Sequence, residues 1–405
     1  MRHTILISAF SCIPNRGSEP GVGWNWALQA AKTQNVYVIT RTKCMDKIET
    51  EIPNELRNSL KFIYCDSSKK LRNVSIYLEY IHWQFKAYKF IKKLHKDIKF
   101  DYLMHLTFGN IFLPTWMYKL PIPFIWGPLG GGERVPYEFY KKFKFKDRIP
   151  HIIKDFMVKT SSINPFIVYP AKAAKLIIAR TEDTKKIVPI RFQDKTILKL
   201  ETCLDNNEVE NLNKVKECEV DSSTFTLVVS GRLIPFKNTC ILIEAMKNLM
   251  NYNIVLNIIG DGEEKEELER RVLKYNLENK VIFHGKISRE ETLKIVNKCD
   301  VFVFPSLREG GSWSLMEAML LEKPIVCLKG SGMDVITTDE CAIRIPMKNY
   351  DYVLYNLVNA IIKLYNEPTL RVSMGKKSKE RINENFRWSS ISSFIVDTLD
   401  KLDSN

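Results

Sequence analysis

Two carboxylates, Glu309 and Glu317, punctuate the run 301–319, Val-Phe-Val-Phe-Pro-Ser-Leu-Arg-Glu-Gly-Gly-Ser-Trp-Ser-Leu-Met-Glu-Ala-Met. Its apolar start reads as a buried strand ending near Pro305. Glu309, Gly310, Gly311 and Ser312 form a loop, and a helix beginning near Ser314 carries Glu317. Gly-Gly-Ser at a helix start lets backbone N–H groups converge on an anion, and the helix dipole favours negative charge there. Carboxylates are poor neighbours for phosphate but good ones for sugar hydroxyls, at ~1.5–3 kcal/mol per charged hydrogen bond. Glu309 and Glu317 are therefore suited to grip the two ends of a sugar–diphosphate–ribose ligand. As an isolated pair they would be an ordinary solvated loop residue and an ordinary helix residue.

Other strand ends supply the missing cations. The apolar run Phe225–Ser230 leads into Gly231, Arg232 and Lys237, where a planar guanidinium and a mobile ammonium form a plausible diphosphate clamp. Gly260 closes a second strand in a tight turn, and His284-Gly285 closes a third, where backbone groups can read a nucleobase edge. Each cation alone would be a surface charge; the argument rests on their recurrence at successive strand ends.

The elements that must position these residues alternate regularly. In the first half, strands are expected at Thr4–Ser8, Asn35–Thr40, Leu60–Tyr64, Tyr102–Leu106, Pro123–Trp126 and Lys175–Ala179, with helices at Val22–Lys32 and about Val74–Lys96. The rhythm restarts with strands from Phe225, Asn253, Lys280, Val301 and Pro324, separated by four helices. Such alternation predicts an α/β fold: two doubly wound Rossmann-like domains of parallel strands, facing a central cleft. The expected domains are 1–205 and 206–386, joined at the polar stretch Asp205–Ser223. A final helix at about 387–405 either caps the chain or packs back on the first domain.

These motifs together resemble family 4 retaining glycosyltransferases of the bacterial polysaccharide-biosynthesis type, which have the GT-B fold. The resemblance covers about residues 225–345 strongly. It implies that Glu309 contacts the donor sugar and Glu317 the ribose, while Gly231, Arg232 and Lys237 hold the diphosphate. It further implies that Gly310, Gly311, Ser312, Trp313 and Ser314 line phosphate and sugar. Glu322 stands where that family usually has glycine, and Ser331 and Met333 replace a commoner Gly-Gly-Pro pattern.

In the first half, Gly17, Gly21 and Gly23 precede or open a helix, a turn suited to an anion or sugar, but their spacing is not a dinucleotide fingerprint. The run 17–24, Gly-Ser-Glu-Pro-Gly-Val-Gly-Trp, and the run 125–133, with its flexible Gly130-Gly131-Gly132 turn, also look like a subgroup of the family. His105 ends a strand and matches the family's histidine there, which implies a bond to the donor sugar near the reacting carbon. No Asp-x-Asp and no ligand-spaced His/Asp/Glu cluster is present, so a metal is not expected and no cofactor is needed beyond a nucleotide-diphosphate sugar as co-substrate. Charge on the departing diphosphate would be met by Arg232, Lys237 and the helix start near Ser314. The resemblance implies a hexosyl- or N-acetylhexosaminyl-transferase working with retention in capsule, O-antigen or exopolysaccharide synthesis. A nucleotide-sugar 2-epimerase and a non-catalytic partner-binding subunit are the alternatives.

The 405 residues, 45% hydrophobic and 27% charged, carry a net charge of +14, and the excess lies before residue 206. Cations alternate with aromatics at 83–96 and 137–148, a pattern suited to an anionic membrane surface at about 1 kcal/mol per Lys or Arg. A lipid-linked saccharide acceptor and a peripheral position on the inner face of the cell membrane follow as expectations. Nucleic acid is not expected, since no recognition motif accompanies the basic residues. Nine scattered cysteines without a CxxC pair argue for reduced thiols in a cytoplasmic protein. The longest apolar stretch, 110–132, is broken by four prolines and glycines and does not read as a membrane span.

Overall fold

A computed structural model describes residues 2–204 and 224–404. The polar stretch Asp205–Ser223, and with it the expected boundary at 205/206, lies outside the described residues. The chain divides into two compact units: Met1–Gly132 with Phe156–Glu201 and Trp388–Asn405, and Glu133–Asp155 with Thr202–Arg387.

The first unit holds a parallel sheet of seven strands: β1 (Thr4–Ser8), β2 (Asn35–Thr40), β3 (Leu60–Tyr64), β4 (Tyr102–His105), β5 (Phe124–Leu129), β6 (Ala174–Ala179) and β7 (Thr196–Leu198). Their spatial order is β3-β2-β1-β4-β5-β6-β7. All four residues of β4 and all six of β5 are buried, as a parallel sheet covered on both faces requires. Edge strand β7 was not anticipated: three residues with Lys195 and Lys199 on either side give no alternation to read.

The helix after β1 runs over Ser18–Ala31, four residues earlier than expected. Pro20 fits because the first helical turn has no use for its missing N–H. Gly17 is thus the N-cap, whereas Gly21 and Gly23 lie inside the helix. Packing demands glycine at the latter: a Cβ on Gly23 would stand 2.2 Å from the Ser11 carbonyl oxygen. The long helix Ile76–Leu94 buries Tyr80, Trp83, Ala87 and Ile91, the three- and four-residue spacing of one apolar face. The terminal helix Ser389–Asp403 belongs to the first unit, with Phe394 edge-on to Trp26 and Asp403 accepting a 2.6 Å hydrogen bond from Tyr102.

The second unit holds six parallel strands: β8 (Phe225–Ser230), β9 (Ile254–Ile259), β10 (Val281–Gly285), β11 (Val301–Phe304), β12 (Ile325–Lys329) and β13 (Ala342–Pro346), in the order β10-β9-β8-β11-β12-β13. Edge strand β13, like β7, went unread; Arg344 at its centre disguises it. The segment 133–155 joins this unit through Val135, Phe139 and Tyr140, which are buried in its core. Half of the basic, aromatic sequence seen above therefore packs on the second unit.

Candidate active site

In the second sheet β8 and β11 lie side by side, while the chain leaves them toward opposite edges. A crevice opens at the carboxyl ends of such strands. Two hydrogen bonds tie the loops that follow. Leu307 N–H donates to the Phe236 carbonyl at 2.8 Å, and the amide of Asn238, in the left-handed region at φ +56°, donates to the Pro305 carbonyl at 3.4 Å. This pinning brings Lys237 Nζ to 2.6 Å from Glu309 Oε2, with each side chain 17% exposed. Gly231, Arg232, Lys237, Thr239 and Ser306 line one hollow there. Arg232 is exposed at its rim. Gly260 closes the neighbouring strand so tightly that a Cβ would stand 1.9 Å from the Gly231 carbonyl oxygen. Its N–H donates to Gly285, chaining the tips of β8, β9 and β10 together.

Ser312 caps the helix Trp313–Leu320, its hydroxyl accepting from Leu315 N–H at 3.4 Å and lying 3.2 Å from the Ser314 hydroxyl. Trp313 donates its indole N–H to the Cys203 carbonyl at 3.1 Å. The loop is backed from below, where Gly332 N–H donates to the Glu309 carbonyl and the Gly332 α-carbon abuts Gly310. Glu317 is held by Arg289 at 2.6 Å. Burial raises the Glu317 carboxyl above its ordinary range, and Arg289 opposes that rise. His284 Nε2 lies 2.8 Å from Asn257, and burial depresses its pKa. Glu322, in the position usually given to glycine, has φ +59° and is paired with Lys379 at 3.0 Å.

His105 ends β4 in the first unit and is only 2% exposed. Burial depresses its pKa to about 4, so the ring is neutral near pH 7. Nε2 faces the Tyr80 hydroxyl at 3.4 Å, and Tyr80 stacks on Phe108 at 5.0 Å. Thr107 accepts a 2.9 Å hydrogen bond from Ser11 N–H, joining the tips of β1 and β4. Glu19, not singled out from sequence, accepts from Gly109 N–H at 3.3 Å; burial raises its carboxyl above the ordinary range, and backbone hydrogen bonds and the Arg180 charge oppose that rise. Its place between Ser18 and Pro20 in the glycine-rich run was the available signal. Gly130 lies against the Arg180 side chain, so the expected flexible turn is instead packed. Arg289 and Arg308, the latter 4.6 Å over Phe236, were likewise not read as site residues.

Residues 212–381 match the family of glycosyl transferases group 1. An uncharacterized glycosyltransferase of Methanocaldococcus jannaschii is 29% identical over 55% of this chain and 55% of its own length. A UDP-Gal:alpha-D-GlcNAc-diphosphoundecaprenol alpha-1,3-galactosyltransferase of Escherichia coli is 27% identical over 46% of this chain and 47% of its own. The chain thus spans about half the length of such curated relatives. The solved structure of Anabaena HepE in complex with UDP-glucose shares the fold throughout, with a TM-score of 0.61 at 14% identity, covering 99% of this chain and 100% of that one. Residues 212–381 are thus similar to the glycosyl transferases group 1 family, the family 4-like group that the motifs resemble, and the two sheets give the chain the GT-B fold.

Proposed function

We propose that the protein transfers a sugar from a nucleoside-diphosphate sugar to a saccharide or lipid-linked saccharide acceptor, with retention, in cell-surface polysaccharide synthesis. One observation carries this reading: the Lys237–Glu309 contact at the tips of β8 and β11, beside Gly231 and Arg232. Before donor arrives, each charge is satisfied by the other. A diphosphate entering the hollow offers Lys237 a more highly charged partner, with Arg232 as a planar second donor. Glu309 is then released to accept hydrogen bonds from donor-sugar hydroxyls. As the sugar–oxygen bond breaks, the electron pair stays on the diphosphate, where Lys237, Arg232 and the N-terminus of the helix Trp313–Leu320 stabilise it. Glu317 accepts from the ribose. Neutral His105, at the tip of β4 in the first unit, is suited to uncharged hydroxyls rather than to phosphate charge.

The Escherichia coli relative, whose name specifies a UDP-sugar and a diphosphoundecaprenol-linked acceptor, supports the donor and acceptor classes; a hexosyl or N-acetylhexosaminyl donor without a required metal belongs to the same reading. A peripheral membrane position is supported by exposed Ile76, Tyr77, Phe85 and Phe90 beside Lys86, Lys89, Lys92 and Lys93, and by exposed Phe145, Ile149 and Phe156 beside Lys146 and Arg148. Among the described residues no helix is long and apolar enough to cross a membrane.

The test is a thermal-shift panel of nucleoside-diphosphate sugars on the wild-type chain and Lys237→Ala. A donor at about 100 times its dissociation constant stabilises by about 2.7 kcal/mol, and the variant should lose that shift. A panel with no shift in the wild type would sink the reading. Flotation with anionic liposomes checks the membrane surface, and no binding at low salt removes it.

A further inference from the structure

A cavity that the proposed reaction leaves unused lies wholly in the second unit. It has a volume of about 410 Å³ and shares no lining residue with the Lys237 hollow. One wall comes from the segment 139–147, the other from the helices Cys240–Asn248 and Lys265–Lys274 and the start of the helix Tyr350–Asn366.

Its surfaces divide by chemistry. Phe139, Phe143, Leu268, Leu307 and Tyr350 contribute apolar faces. Arg271 is already engaged by Glu244 and Glu267, both at 3.0 Å. Lys142 lies 3.8 Å over the Tyr350 ring, leaving Lys144 and Lys146 as the other cations beside Glu263, Glu264, Asp147 and Asp351. The decisive group is Glu264. Its Oε2 is buried and has no hydrogen-bond partner, a costly state for a polar atom shielded from water. Burial raises its pKa to about 7, although Arg271 opposes the rise.

An anion is disfavoured here because carboxylates outnumber cations around the cavity. A purely apolar ligand would leave the Glu264 oxygen unsatisfied. A sugar ring meets both demands: its C–H face lies on aromatic and aliphatic side chains, and its hydroxyls donate to carboxylates. The geometry points to a second, saccharide-binding site in this cavity, of one- or two-ring size, with Glu264 accepting from a ring hydroxyl and Lys142 donating at the entrance. The occupant is either a free sugar or a residue of a longer glycan, and the two sources share this recognition.

Saturation-transfer NMR on the full chain with glucose, N-acetylglucosamine, cellobiose and a cello-oligosaccharide tests it. Saturation should reach at least one of these sugars, persist in excess UDP and in Lys237→Ala, and weaken about tenfold in Glu264→Leu. Lys142→Ala, at an exposed position, should weaken it too. A stronger response to the short sugars assigns the free-sugar source; a stronger response to the oligosaccharide assigns the glycan. No saturation of any sugar, displacement by UDP, or an undiminished signal in both variants would overturn the inference. Because the Lys237→Ala and UDP arms disable the nucleotide site, failure of the donor reading leaves this result interpretable.

Discussion

The tips of β8 and β11 and the tips of β1 and β4 are the same place in two sheets of like topology, yet they are built for opposite electrostatics. In the second unit the two loops meet through an ion pair, Lys237 with Glu309, beside exposed Arg232. In the first, among the described residues, no ion pair joins the two tips: the Ser11 N–H meets the Thr107 hydroxyl and Glu19 accepts from Gly109 N–H, next to a histidine that burial keeps uncharged. Both sheets open a crevice where strand order reverses. The side chains placed there decide whether it suits a diphosphate or uncharged hydroxyls.

Breaking the charged tip should have the largest effect. Lys237→Ala removes a donor from the departing diphosphate and strips Glu309 of its partner. Transfer should fall by about 100-fold or more, measured as product formation at saturating donor. Glu309→Ala should abolish transfer while leaving any complex with a partner protein intact, which separates an enzyme from a scaffold.

The neutral tip should respond in stability and pH dependence. His105 titrates near 4 when folded and near 6.5 when unfolded. Because its folded pKa is depressed and the neutral form is the buried one, the unfolded chain binds the proton first. Its contribution is fully present above pH 6.5 and is lost as pH falls toward 4, amounting to about 3 kcal/mol. Melting temperature against pH should therefore fall less steeply for His105→Asn than for wild type between pH 7 and 4. A parallel pair of curves would show that folding leaves the histidine's pKa undepressed.

Gly23→Ala probes the packing of the first tip. Its Cβ would press on the Ser11 carbonyl, and the change should cost about 2 kcal/mol in denaturant unfolding despite the better helix former. The smallest effect belongs to Arg289→Ala. Its guanidinium is half exposed beside Glu317, so the loss should stay within about 1 kcal/mol of stability, with a weaker donor affinity if Glu317 must be held toward the ribose.

Much of this was readable in the chain. The central strands declared themselves as short apolar runs between glycines and charged helices, because a strand buried on both faces has no polar side to show. Thr196–Leu198 and Ala342–Pro346 did not, the first because three residues give no alternation to read and the second because Arg344 stands at its centre; the other two edge strands, Leu60–Tyr64 and Val281–Gly285, were legible. Gly231, Arg232, Lys237, Glu309 and Glu317 stood out by residue type and position after strands. Glu19 did not, because one carboxylate in a glycine-rich run looks like any surface acid until Gly109 is seen against it.

Residue order alone therefore determined the alternation of elements and the chemistry offered at each strand end, for these depend on neighbours within a few positions. Only the tertiary structure decided that Lys237 pairs with Glu309 across 72 residues, that Glu317 is held by Arg289, and that Phe139 and Phe143 wall a cavity with Tyr350. Those contacts depend on the order of strands in the sheet and on which helix covers which face. Local periodicity carries no record of either.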